Sequence, residues 1–515
     1  MSPIKRQLLL ITMLAAAIME LIDTSIVNVA LNYMGGNLGA TLEDTSWVIT
    51  SYAIANVIII PMTSFLTSNL GRRNYYISSI ILFTVCSFMC GNASNIWELV
   101  GFRFLQGLGG GALLSVSGAV VYELFPKEKQ ATASAIFGVG IFLGPTIGPT
   151  LGGYLTENYA WPWIFYINVP IGIATAISCY YLLTEPVIKP VVKRIDWTGI
   201  GLLIVGIGAL QTVLERGQTD DWFAAGYIVF LTIVAIICLT GFILWELHVP
   251  NPVVDLRVLK SKPLAVAAIL TFITGIGMYT SIYLTPVIAQ RILGFTPTQS
   301  GLLLLPGAIA AVAALVITGK LLQAGVAPAL MVLLGISCFI AFNWYMSQIN
   351  FDSSSRDIQL NLIMRALGMA LLTVPLGTLA VSSLALKDIP QGTALNNMMR
   401  QLGGSFGISI VNTYIARRVM SHRTDMLANL TADNPIATGR INSYTHLFQS
   451  KGFSLLDAQQ KAMGLLEKVV VKQSSFSSYL DAFMLIGLFF ILSLPLLLLV
   501  AKRQKGAVKV VLNDH

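Results

Sequence analysis

A chain of 515 residues that is 55% hydrophobic and only 11% charged, with a positive mean hydropathy, falls outside the ordinary soluble globular class and reads as a polytopic membrane protein. The formal net charge of +8 would suit nucleic acid, but a membrane protein places its basic residues first on cytoplasmic loops, and that explanation suffices. The five cysteines, Cys86, Cys90, Cys179, Cys238 and Cys338, all lie in apolar runs and propose neither a disulfide framework nor a zinc site.

A hydrocarbon core of ~30 Å demands roughly 20 apolar residues of a helix. Fourteen runs answer that description: 8–31, 46–67, 75–93, 97–122, 131–155, 161–183, 196–214, 223–247, 263–288, 298–320, 327–347, 358–385, 391–416 and 478–501. Lipid offers a backbone amide no partner, so each is expected to be a helix, giving an all-α membrane protein with both termini on one side. Lys5 and Arg6 before the first run resemble a secretory signal. The run is too long for one and lacks a cleavage site, so an uncleaved first span is expected.

On the side of the N-terminus the loops and the tail carry eighteen Lys and Arg, against three, Arg216, Arg291 and Arg356, on the short loops opposite. That asymmetry predicts cytoplasmic termini. Residues 417–477 form one long extracytoplasmic connection with eight basic side chains. Ser454 with Asp457 resembles a capping box, and Leu455, Ala458, Ala462, Leu465, Leu466 and Val469 recur at helical spacing, which predicts a helical hairpin. The triplet Asn429-Leu430-Thr431 matches a glycosylation pattern that also arises by chance.

Two carboxylates, Glu20 and Asp23, stand one turn apart in the first span, and Arg103 stands in the fourth. At a 1.5 Å rise per residue Asp23 lies about 8 Å from the extracytoplasmic face and Arg103 about 9 Å from it, so the two reach a similar depth. A lone charge there costs several kcal/mol or neutralises. The pattern fits a carboxyl that exchanges a proton while Arg103 holds its ionised form, or a static ion pair locking spans 1 and 4. In the fifth span Gly140, Gly144, Gly148 and Gly152 are spaced by four, with Pro145 and Pro149 beside them, a ridge for close and kinked helix contact. Arg103 with Gly107 recurs as Arg365 with Gly368 in the twelfth span. Setting spans 7 and 8 aside as an insert leaves two six-helix halves, the plan of a repeat-built transporter.

Other chemistries lack their residues. Ala314 stands where a phosphate loop ending at Gly319-Lys320 needs glycine, Gly107, Gly109 and Ala112 follow no strand, and all four histidines lie outside the spans. No catalytic residue, metal site or cofactor is expected, the energy source being the proton motive force, and no nucleic-acid partner.

The stretches "LIDTSIVNVAL", "RFLQGLGGG", "GPTIGPTLGG" and "WPWIFYINVPIG" together resemble the fourteen-span drug:proton antiporters of the major facilitator superfamily. The long loop before the last span is similar to that of their EmrB branch. The resemblance covers nearly the whole chain. It implies the major facilitator fold: 1–183 as the N-terminal half, 184–262 as the two inserted helices and linkers, 263–501 as the C-terminal half including the hairpin 417–477, and 502–515 as a cytoplasmic tail. It implies that Asp23 and Arg103 serve proton coupling and that Gly144, Pro145, Gly148, Gly152 and Gly153 form the antiporter motif. Glu20 rests on its position alone. Ser68 and Asn69 depart from the Asp-Arg pair that many facilitators carry before Gly71, Arg72 and Arg73, which puts a gating latch on that acid in doubt. The resemblance further implies export of hydrophobic compounds from a bacterial inner membrane, with a periplasmic adaptor of EmrA type docked on 417–477 and an outer-membrane channel of TolC type. Candidate residues of the substrate cavity or its gates are Asn28, Gln106, Arg365, Arg400, Met278, Tyr279, Tyr283 and Phe406. A proton-coupled transporter of a small metabolite would share the fold and the acids.

Overall fold

The structure, a computed structural model, describes residues 3–126, 129–184, 196–250, 252–382, 384–385, 388–431 and 433–504. Most of the tail, the linker 185–195 and the counted residues Lys127, Lys189, Lys193, Arg194 and Lys387 lie outside the described residues. The described residues form α1 (Pro3–Leu38), α2 (Leu42–Leu70), α3 (Arg72–Gly91), α4 (Ile96–Leu124), α5 (Gln130–Asn158), a short α6 (Trp163–Tyr166), α7 (Asn168–Leu182), α8 (Trp197–Arg216) and α9 (Gly226–His248). They continue with α10 (Lys262–Val287), α11 (Pro297–Gln323), α12 (Pro328–Met346), α13 (Ser355–Ser382), α14 (Ile389–Ala428), α15 (Pro435–Ser450) and α16 (Leu455–Gln504), with no strand among them.

Among the described residues thirteen helices are long and apolar enough to cross a membrane, α6 and α7 together making one of them. The expected apolar run 391–416 falls in α14, which does not meet that standard of composition. Gln391, Thr393, Asn396, Asn397 and Arg400 are buried along it, and α14 lies against α10, α16, α2 and α4. A helix surrounded by other helices meets little lipid and can carry polar residues that face protein. The outer segment is helical. α14 runs on to Ala428, α15 packs against α16, and α16 joins the segment to the last span in one helix of 50 residues. Asp457 N–H donates to Ser454 Oγ at 3.2 Å, capping α16 where the sequence placed its start. Arg418 and His422 both meet Asp481 (2.6 and 2.8 Å) and Arg423 meets Glu467 (2.6 Å), fastening the α14 extension to α16.

The glycine ridge decides how α1 sits. A Cβ on Gly144 would strike Leu21, one on Gly148 would strike Ser25 Oγ, and one on Gly152 would lie 2.6 Å from Val29 and 2.7 Å from Ile26. The bare ridge of α5 therefore receives the α1 face carrying Leu21, Ser25, Ile26 and Val29. Contact at this range is open only to glycine. Gly153 and both prolines are buried, and α5 continues as one helix through Pro145 and Pro149. Its opposite side packs on α11, where a Cβ on Gly301 would strike Thr150 and one on Gly138 would lie 3.0 Å from Leu315. α5 is thus clasped between α1 and α11.

α4 uses glycine in the same way against α2. A Cβ on Gly107 would lie 2.6 Å from the Tyr52 carbonyl oxygen, and one on Gly110 would strike the Tyr52 hydroxyl. Near the loop joining α2 to α3, Arg72 pairs with Glu123 and donates to the Thr184 carbonyl at 3.1 Å, while Arg73 lies over the Tyr180 ring at 4.5 Å. The arginines after Gly71 thus have partners that do not involve position 68 or 69.

Gly148→Ala is expected to destabilise the detergent-solubilised protein by about 1–3 kcal/mol through overpacking. Adding Ser25→Ala should recover part of that loss. A thermal midpoint unmoved by Gly148→Ala would show that the two helices are not in this contact.

Candidate functional site

The α1 register set by α5 turns two faces of α1 toward two different neighbourhoods. Asp23 is wholly buried and meets α4 and α7. Arg103 Nη1 donates to Asp23 Oδ2 at 2.5 Å, while Gln106 Nε2 and Asn168 Nδ2 both donate to Asp23 Oδ1, at 3.0 and 2.8 Å. Asn168 also donates to Ser87 Oγ at 3.0 Å, and that hydroxyl donates to the Phe165 carbonyl at 2.9 Å. Arg103 is only 1% exposed and spreads its remaining capacity over Gln106 Oε1 (2.9 Å), the Val48 carbonyl (3.2 Å) and the face of Tyr52 (4.1 Å to the ring centroid). A buried ion pair breaks even only when its spare lone pairs and protons are also met, and here they are.

Glu20 is 2% exposed and points to α2 instead. Its Oε1 accepts from Asn56 Nδ2 at 3.1 Å and from the Tyr52 hydroxyl at 3.3 Å. Among the described residues its Oε2 has no partner, and no cation is hydrogen-bonded to this carboxyl. Two acids one turn apart are therefore held in opposite manners, one by a guanidinium and two amides, the other by two neutral donors with an oxygen left bare. Tyr52 joins the two, its hydroxyl on Glu20 and its ring under Arg103.

The other predicted residues divide. Gln106 belongs to the Asp23 cluster. Asn28 is exposed and bonds within its own helix, to the Ser25 carbonyl at 3.4 Å. Arg365 is buried, yet no carboxylate or other described group is bonded to it and its Nη1 lacks a partner. The repeated arginine of the twelfth span thus occupies a different environment from Arg103. Gly368 does match its counterpart in use, its Cβ position lying 3.0 Å from the Gly335 carbonyl oxygen. Met278 is buried in the core; Tyr279 donates to Gln401 Oε1 at 3.1 Å, Tyr283 is partly buried, and Phe406 stacks edgewise on Phe272 at 5.7 Å.

Arg400 instead lines a cavity of about 30 Å³, with Tyr122, Ser134, Thr271, Thr393 and Asn396 facing Phe137, Ile141 and Leu376 across it. That is room for about two water molecules. It lies beside the contact between α4, α5, α13 and α14, where Ser134 bonds both Tyr122 (2.9 Å) and Thr378 (3.0 Å). Among the described residues Thr271, Thr393, Asn396 and Asn397 each leave one polar atom unpartnered around it, and Arg400 donates only to Asn397. The helices are closed here. Tyr52, Asn56, Ser87 and Asn168 were not foreseen from the sequence, although each is a polar group inside an apolar run, which is the signal that was available.

Together the helical bundle, the buried acid–arginine pair and the glycine ridge define a membrane transporter of the facilitator type. The Major Facilitator Superfamily model matches residues 13–408. The chain is 32% identical to the multidrug export protein EmrB of Escherichia coli (strain K12), over 93% of this chain and 92% of that one, and 32% identical to the fatty acid resistance protein FarB of Neisseria gonorrhoeae, over 93% of each. It also shares its fold with the solved proton:xylose symporter XylE, with a TM-score of 0.58 at 11% identity over 96% of this chain and 97% of that one. The chain belongs to the major facilitator superfamily, and within it to the family of the EmrB export proteins.

Asp23→Asn leaves Arg103 buried without a counter-charge and is expected to cost about 3–5 kcal/mol of stability. Glu20→Gln breaks no ion pair and should cost about 1 kcal/mol or less. Melting the two purified variants side by side checks this, and equal shifts would contradict the unequal holding of the two acids.

Proposed function

We propose that this protein exports hydrophobic drugs or toxic compounds across the bacterial inner membrane in exchange for protons, by alternating access between two six-helix halves, 1–183 and 263–501. In this reading α14 is the fourteenth crossing and both termini are cytoplasmic. The observation that carries it is the pair of unequal acids on α1. Glu20 is the carboxyl that loads and releases the proton, since a proton on its bare Oε2 removes a buried charge without breaking an ion pair. Asp23 and Arg103 form the switch. Neutralising Glu20 changes the field at Tyr52, which touches both groups, and so biases the hold of Arg103 on Asp23.

The glycine ridge, Gly140 to Gly153 with Pro145 and Pro149, links this site to movement. α5 contacts α1 on one side and α11 on the other, so a shift of α1 reaches the second half without a long path. The closed contact around Ser134 and Arg400 is the gate that must part to admit drug from the cytoplasm. Arg400 is the buried cation that lines the cavity beside it. At a membrane potential of about −100 mV each proton moved inward contributes ~2.3 kcal/mol, to which the pH gradient adds.

The names of the relatives support hydrophobic compounds as the substrate class, EmrB being a multidrug export protein and FarB a fatty acid resistance protein. The kinship also supports a periplasmic adaptor of EmrA type docking on 417–477, with an outer-membrane channel of TolC type beyond it.

Inverted vesicles test the coupling. With a pH gradient imposed, wild type is expected to accumulate drug, and Glu20→Gln and Asp23→Asn to fall to the level of empty vesicles while still binding drug. Normal uptake by Glu20→Gln would remove it from the proton path, and normal uptake by Asp23→Asn would reduce its pair with Arg103 to a structural lock.

A further inference from the structure

Another carboxylate, partly buried, lies outside this cycle. Glu215, at the end of α8 near the loop to α9, lines a cavity of about 150 Å³ together with Leu214, Gln218, Ser405, Ile408, Ser409 and Asn412. One wall is the inserted helix α8 and the other is α14, against which it packs. Glu215 Oε1 accepts from Gln211 Nε2 at 3.0 Å, and the same amide nitrogen donates to Ser405 Oγ at 2.8 Å. No Lys or Arg pairs with Glu215 among the described residues. Its neighbour Arg216 is engaged with Asp220 (3.1 Å), with Ser46 (2.9 Å) and over the Trp47 ring (5.3 Å). Two further groups are bare here: Ser409, 4% exposed and lining the cavity, leaves its Oγ unbonded, and Gln211, 0% exposed, leaves its Oε1 unbonded.

A partly covered carboxylate at the end of a span, set among oxygens with no paired Lys or Arg, makes a cleft of one sign that favours a positive ligand. The alternatives separate by size and by donor set. A proton needs no cavity, whereas this one has about the volume of an engineered void that holds benzene. A hard metal ion wants about six or more oxygen ligands, and two walls here are the aliphatic side chains of Leu214 and Ile408. An alkylated ammonium or a guanidinium suits both: it is weakly hydrated, it fills the space, and it presents carbon to the leucine and isoleucine and charge to the acid. We propose that this pocket binds the cationic head of an organic monocation, with Glu215 as its counter-charge and the Ser405, Ser409 and Asn412 side chains around it. The site is separate from the Asp23 cluster and does not depend on the proton-exchange reading, because binding is read without transport.

Calorimetric titration of the purified full-length protein in a neutral maltoside detergent tests it, with tetramethylammonium as the probe and tert-butanol as its uncharged match in size. Saturable binding of tetramethylammonium but not of tert-butanol is expected, weakened about ten-fold or more by Glu215→Gln, which keeps the shape and removes the charge. Ser409→Leu, which fills the cavity from the other helix, should weaken it similarly and serves if Glu215→Gln does not fold. Absence of saturable binding in the wild type, or wild-type affinity in a folded Glu215→Gln or Ser409→Leu, overturns the proposal. Repeating the titration in phosphatidylglycerol nanodiscs with and without phosphatidylethanolamine separates two sources of the cation. Competition by the ethanolamine lipid assigns the pocket to a lipid head group, and its absence assigns the pocket to a soluble cation.

Discussion

The buried pair of Asp23 and Arg103 is the constraint on which the rest of the N-terminal helices depend. In a medium that screens poorly, two opposite charges attract strongly, yet each must also recover what it lost on leaving water. The structure meets that demand with Gln106, Asn168 and the Val48 carbonyl, drawn from α4, α7 and α2. Four helices are thereby fixed about one carboxylate. None of these partners can be moved without exposing another unmet polar group, so the cluster acts as one unit.

Close packing by glycine is what makes that unit reachable. The ridge of α5 sets α1 in a register in which Leu21 and Ser25 face α5 while Glu20 and Asp23 turn to α2, α4 and α7. The glycines of α4 bring Tyr52 near enough to meet Glu20 with its hydroxyl and Arg103 with its ring. A methyl group at Gly107 or Gly148 would separate helices whose polar groups are only a hydrogen bond apart. Packing and electrostatics are therefore not independent features of this protein.

The repeated motif behaves differently in its two copies. Gly107 and Gly368 both support close helix contact, and Arg103 and Arg365 are both buried. Only Arg103 has a carboxylate. The repeat preserves how the helices approach one another and not the chemistry carried between them, which gives the two halves different electrostatic characters within one scaffold. The inserted α8 adds an acid of its own, Glu215, beside α14.

Most of the spans were legible in the chain because lipid imposes a length and a composition that a run of residues either has or lacks. The depth match of Asp23 and Arg103 was legible too, since rise per residue is constant along a helix. The run in α14 and the outer segment follow rules that composition alone does not state: burial against protein frees a helix from the apolar rule, and a helix already formed in a span extends beyond it at little further nucleation cost. Tyr52, Asn56 and Asn168 show the deeper limit. A polar residue in an apolar run announces that it has a partner but not which one, because partners on different helices are chosen by rotation and register about each axis. Composition and spacing thus determined a helical membrane transporter with charged groups at matched depth. Only the tertiary packing decided that one acid received the arginine and the other was left with a bare oxygen.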